Sequence, residues 1–84
     1  MIINVKVQDK KFDFDVELTV YNQYINEMMP NNKVTPAHNF LMRSIIPEHK
    51  DELAEMLKIP SASLQIAAAV VEEYTPDLEI TVGK

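Results

Sequence analysis

The sequence predicts an α+β fold: an N-terminal β-hairpin, about four short helices, and a short C-terminal strand able to join the hairpin in a small antiparallel or mixed sheet. Three observations carry this. Residues 2 to 18 alternate apolar and polar with period two. The stretches between 19 and 74 change to helical spacing, fenced by prolines and polar residues, and LEITV (78–82) returns to period two.

In the hairpin, Ile3, Val5 and Val7 alternate with polar residues, as do Phe12, Phe14, Val16 and Leu18. With QDKK (8–11) as the loop, Val7 faces Phe12, Val5 faces Phe14, Ile3 faces Val16, and Lys6 meets Asp13 on the opposite face. Thr19 is positioned to cap a first helix through Met29, with Val20, Tyr24, Ile25 and Met28 at helical spacing and Pro30 closing it. NNKV is a polar loop. Thr35-Pro36 then reads as the start of a second helix, because a threonine oxygen accepts from an orphan amide and a proline at the first helical position forfeits no needed donor. Ala37, Phe40, Leu41 and Ile45 form its buried face.

Pro47 opens a third helix, EHKDELAEMLK, with Glu48, Asp51 and Glu52 early and Lys58 late, the order the helix dipole favours. Leu53, Met56 and Leu57 point inward. Pro60 begins a fourth, SASLQIAAAVVEEY, with Leu64, Ala67, Ala68, Val71 and Tyr74 on one side. After Thr75-Pro76, Leu78, Ile80 and Val82 share one face of the expected third strand. A three-stranded sheet has two edges, and an open one can accept another strand from a second copy or a peptide.

Eighty-four residues make a single domain, 1–84, whose small core gains from association with a second copy or a partner. Without cysteine there is neither a disulfide framework nor a thiolate metal site, which favours an intracellular, cytoplasmic location. MIINVKV is neither a signal peptide nor a membrane span, so no membrane association is expected. The formal net charge of −5 and the scattered lysines form no stripe for phosphates, so nucleic acid is not an expected partner. Gly83 is the only glycine, and no phosphate-cradling loop exists. No cofactor is called for.

TPAHNFLMRS (35–44) sets a histidine, an asparagine, an arginine and a serine close together. As chemistry, His38 would be a general base, but Ser44 lies over the far side of the helix and no acid is near in sequence. As structure, His38 satisfies free amides in its helix's first turn or lies against a loop. His38 and His49, eleven apart across Pro47, match no metal-ligand pattern. Asn39 and Arg43, one turn apart, form either a solvated stripe or a grip on a carboxylate or a partner's backbone. Met28, Met29, Met42 and Met56, with Tyr21 and Tyr24, serve either as core filler or as an adaptable surface for helices. Glu72 and Glu73 lie near a helix end whose dipole disfavours them, which a basic partner surface or plain solvation would explain. Tyr21, Tyr24, Met28, Met29, His38, Asn39, Met42, Arg43, Glu72 and Glu73 are thus the candidate partner-binding residues. No catalytic or metal-binding residue is assigned.

MIINVKVQDKKFDFDV, YNQYINEMMPNNKVTPAHNFLMRSI and LQIAAAVVEEYTPDLEITVGK, in that order, resemble a small family of tail assembly chaperones of tailed bacteriophages and prophages. The resemblance covers nearly the whole chain, and none of its distinctive segments is a catalytic signature. It implies a small, acidic, noncatalytic protein that binds the long helical tape-measure protein in the bacterial host cytoplasm, keeps it soluble, helps tail-tube subunits assemble around it, and is absent from the finished virion. A homodimer or higher oligomer is compatible with it. It also makes Gly83-Lys84 compatible with a ribosomal frameshift giving a longer form. Two other classes compete: a small acidic regulatory or toxin-neutralising module acting on a basic partner, and an enzyme with His38, Asn39 and Arg43 as its only cluster.

Overall fold

The computed structural model describes residues 1–83; of the Gly83-Lys84 pair, Lys84 lies outside them. The chain runs through β1 (Ile2–Val7), β2 (Lys10–Asp15), α1 (Leu18–Glu27), α2 (Val34–Ser44), a 3₁₀ turn (Pro47–His49), α3 (Lys50–Met56) and α4 (Ala62–Tyr74).

β1 and β2 form an antiparallel hairpin, but its register differs from the expected one. Ile3 faces Phe14, Val5 faces Phe12, Lys6 faces Lys11 and Asn4 faces Asp13. The loop is only Gln8 and Asp9, both with positive φ (46° and 72°). Positive φ at both central residues is the geometry whose twist matches the flanking strands, and it holds even without glycine. Closing the loop by two residues slides the partners while leaving every side chain on its expected face. Ile3, Phe12, Phe14 and Val16 are buried, as the alternation requires.

The outer edge of β2 is closed by backbone that follows α2. Phe14 bridges Ile45, the Ile46 N–H donates to the Asp13 carbonyl at 3.0 Å, and the Asp13 N–H donates to His49 Nδ1 at 3.1 Å. The His49 ring also stands edge-on to Phe12, centroids 6.1 Å apart. This histidine therefore caps a strand edge.

α2 lies centrally, packed against α1, α3, α4 and β2. Its Ala37, Phe40 and Leu41, with Ile45 just beyond, are buried as expected. The helix starts at Val34, with Lys33 as the capping residue and no side-chain cap bond, so Thr35 is not the cap. Pro36 still sits in the first turn, where its missing N–H costs no intrahelical bond. α1 likewise starts at Leu18, with Glu17 before it and no side-chain cap, so Thr19 lies inside the helix. α1 ends at Glu27. Beyond it, Met29 and Asn32 exchange backbone hydrogen bonds of 3.2 and 3.0 Å in a tight turn around Pro30.

The Pro47 segment is a 3₁₀ turn that passes into α3, which buries Leu53 and Met56. Pro60 does not open α4. Ser61, in the left-handed region at φ 67°, turns the chain into a helix that starts at Ala62. The buried residues of α4 are Ala62, Ser63, Ile66, Ala67 and Val70, with Leu64 and Ala68 exposed, so the face is rotated from the expected one. So apolar a helix offers several stripes of similar spacing, and packing against α2 and β1 selects among them.

The expected C-terminal strand is not formed; the sheet is the two-stranded hairpin. Residues 76–83 are exposed throughout, Leu78, Ile80 and Val82 at 72, 79 and 91 %. Thr75 is extended (φ −96°, ψ 124°), as a residue before proline prefers, and carries the chain onward from α4.

Candidate functional site

α1 has more apolar residues than it buries. Tyr24 is inside, Val20 and Tyr21 pack against the core's margin, and Leu18, Ile25 and Met28 are exposed with Met29 just after them. Leu18 and Ile25, two turns apart, form a short apolar stripe on α1 beside the half-buried Tyr21, and Met28, at the helix's C-terminal cap, lies exposed beyond it. Leu18 is 61 % and Met29 59 % exposed. Val34, at the start of α2, adds another exposed apolar side chain nearby in sequence.

Beside the end of this stripe, between α1 and α2, lies a cleft of about 330 Å³ lined by Asn26, Glu27, Met29, Asn32, Thr35, Pro36 and Asn39. The tight turn around Pro30 shapes one wall and the first turns of α2 the other. Amide side chains supply most of the polar lining, so the cleft offers donors and acceptors to an extended backbone or a polar flank. Across the seam, Arg43 Nη1 reaches Glu27 Oε1 at 3.4 Å, and Gln23 Nε2 donates to Glu27 Oε2 at 3.5 Å. Arg43 thus grips a carboxylate of its own chain. Being exposed, this pair adds at most about 1 kcal/mol.

The candidate residues separate into groups. Met29 and Asn39 line the cleft, and Met28 is exposed at the C-terminal cap of α1, immediately before Met29. Tyr24 is buried and stacks on Phe40, centroids 4.7 Å apart and planes 16° apart. Burial, and then the neighbouring Tyr21, push its hydroxyl above the ordinary tyrosine range. Tyr21 is half-buried against Tyr74 at 5.2 Å, and Met42 is packed against the core. His38 is exposed and has no hydrogen bond among the described residues, so it caps no helix. Glu72 and Glu73 are exposed on α4, outside the cleft.

Leu18 and Ile25, and the cleft-lining Asn26, Glu27, Asn32, Thr35 and Pro36, were not among the candidate partner-binding residues of the sequence. The available signal was an α1 whose apolar positions outnumber what one buried face can hold. Ser44, weighed as a nucleophile, is buried with its Oγ unpartnered, and no group of three or more metal-binding side chains converges among the described residues. Among the described residues no helix is long and apolar enough to cross a membrane.

Comparison with known proteins gives two matches. A family described as phage tail assembly chaperone matches residues 3–84. A protein of Haemophilus phage HP1 (strain HP1c1), described as an uncharacterized 11.3 kDa protein in the lys 3′ region, is 34% identical over 80 residues, which covers 95% of this chain and 78% of that protein. No solved structure matches.

Proposed function

Because this chain belongs to the phage tail assembly chaperone family, we propose that its part in tail assembly is noncatalytic: it binds the tape-measure protein and keeps it soluble while tail-tube subunits assemble. The work is done in the host cytoplasm, and the protein leaves before the virion is finished. The observation that carries this reading is the set of exposed apolar side chains formed by Leu18 and Ile25 on α1 and by Met28 and Met29 just beyond it, with Met29 also lining the cleft. A long helical partner exposes apolar faces of its own. A stripe flanked by flexible methionines receives such a face without demanding one side-chain pattern. Each fully covered apolar side chain contributes about 1.5–3 kcal/mol, so a few of them suffice for reversible holding. Asn39, His38 and Arg43 form the polar border of this surface, Tyr21, Tyr24 and Met42 hold it from below, and Glu72 and Glu73 meet basic stretches of the partner.

The test is co-expression with the tape-measure protein from the same phage. The parent protein keeps that partner in the soluble fraction and copurifies with it. Ile25→Asp and Met29→Asp change exposed side chains and leave the fold intact by circular dichroism. Each is expected to lower affinity by at least about tenfold, the cost of placing a charge in an apolar contact. Variants that hold the tape-measure protein as well as the parent does would overturn the surface; a parent that never copurifies with it would overturn the partner.

A further inference from the structure

The two edges of the hairpin are unlike. On β2 the outward peptide groups of Asp13 are taken by Ile46 and His49. On β1, Met1 bonds with Val16 across the hairpin, and the register alternates from there. The peptide groups of Ile2, Asn4 and Lys6 therefore point outward. They have no backbone partner among the described residues. The core face shows the same asymmetry: Phe12 and Phe14 are fully buried, while Val5 and Val7, across from Phe12 and Lys10, are only half-buried. An open edge bordered by half-covered valines lacks a third strand.

The chain carries a matching strand that lies elsewhere. Asp77 to Val82 is a six-residue alternation, as long as β1, with three apolar side chains almost wholly in water. α4 begins beside Val7, since Ala62, Ile66 and Val7 line one hollow, and the helix packs against β1. After it the extended Thr75 and the fixed ring of Pro76 lead into the exposed segment, which pairs with no strand among the described residues of its own chain.

We infer that residues 77–82 pair with the open β1 edge of a second copy of this chain, and that the exchange is reciprocal about a two-fold axis. One antiparallel register satisfies every position. Val7 then faces Leu78, Val5 faces Ile80 and Ile3 faces Val82 on the core side, and Leu78 comes next to the apolar hollow of about 140 Å³ lined by Val7, Met56, Ile59 and Ile66. On the solvent side Asn4 faces Thr81 and Lys6 faces Glu79. That last pair explains why the hairpin tolerates Lys6 directly opposite Lys11, a like-charge pair that costs stability in an isolated hairpin. The acidic face of the segment, Asp77 and Glu79, complements that basic spot. This surface is separate from the α1 stripe and stands or falls independently of it.

The chain has no cysteine, so introduced thiols report without background. Lys6→Cys and Glu79→Cys, made singly and mixed, are expected to form a disulfide between two chains, because directly paired strand residues lie within disulfide reach. In sedimentation equilibrium the parent is a dimer and Ile80→Asp a monomer with unchanged circular dichroism. Glu79→Lys, which breaks the pair at both symmetry-related edges, weakens the dimer about twentyfold, the size of two exposed ion pairs, and adding Lys6→Glu restores it. The proposal is overturned by a monomeric parent at millimolar concentration, by an Ile80→Asp variant that associates like the parent, or by a Lys6→Cys/Glu79→Cys double variant that closes only within one chain.

Discussion

Ser44 is buried at the end of α2 and its hydroxyl finds no partner among the described residues. An unpaired buried hydroxyl costs about 1–3 kcal/mol. Ser44→Ala removes that group without leaving a large cavity, and it is expected to stabilise the fold by about 1 kcal/mol, or roughly 4–8 °C in melting temperature. Urea or thermal unfolding measures it; a loss of stability would mean that the hydroxyl is bonded in solution. Tyr24 gives a pH-dependent case. Its hydroxyl is harder to ionise in the fold than in the unfolded chain, because burial, then Tyr21, disfavour the phenolate. The stability tied to it is therefore fully present below the unfolded value near 10.0 and is lost as pH rises from there through the folded value. Tyr24→Phe keeps the stack on Phe40 and removes the titration. Its unfolding free energy is expected to match the parent's near neutral pH and to fall less steeply above pH about 10.

At the scale of elements, what sequence made legible was decided by how many arrangements a pattern allows. α2 has one apolar stripe, and Ala37, Phe40, Leu41 and Ile45 were readable because no other face could be buried. α4 is apolar on most sides, so spacing alone did not separate Leu64 and Ala68 from Ile66 and Val70. The hairpin's faces were readable, since alternation fixes them, but its register was not. That depends on whether Gln8 and Asp9 accept positive φ, and neither residue announces it as glycine would. Both expected side-chain caps were misplaced by two residues, because Thr19 and Thr35 sit inside first turns whose capping residues are Glu17 and Lys33. The candidate surface was half legible. Met28, Met29 and Asn39 stood out by type, whereas Leu18 and Ile25 became visible only once packing showed which side of α1 the core uses. His49 could not be assigned from sequence. Its role on Asp13 depends on a contact thirty-six residues away.

For the whole molecule, folding and association are carried by different residues. The core is closed by the hairpin and α1 to α4, with Thr75 as its last fixed point, its Oγ1 donating to the Val71 carbonyl at 2.8 Å. Everything from Pro76 to Gly83 is in water, so it contributes almost nothing to the stability of an isolated chain. Ending the chain after Thr75 is therefore expected to change the unfolding free energy by less than about 0.5 kcal/mol when measured at high dilution, where copies are apart. At higher protein concentration the two chains diverge. The parent's melting temperature climbs with concentration, because a dimer that binds only folded chains stabilises them by mass action. The shortened chain's melting temperature stays flat. A truncation that unfolds the protein even at high dilution would mean that the segment belongs to the fold of its own copy. A parent whose melting temperature ignores concentration would mean that it pairs with nothing.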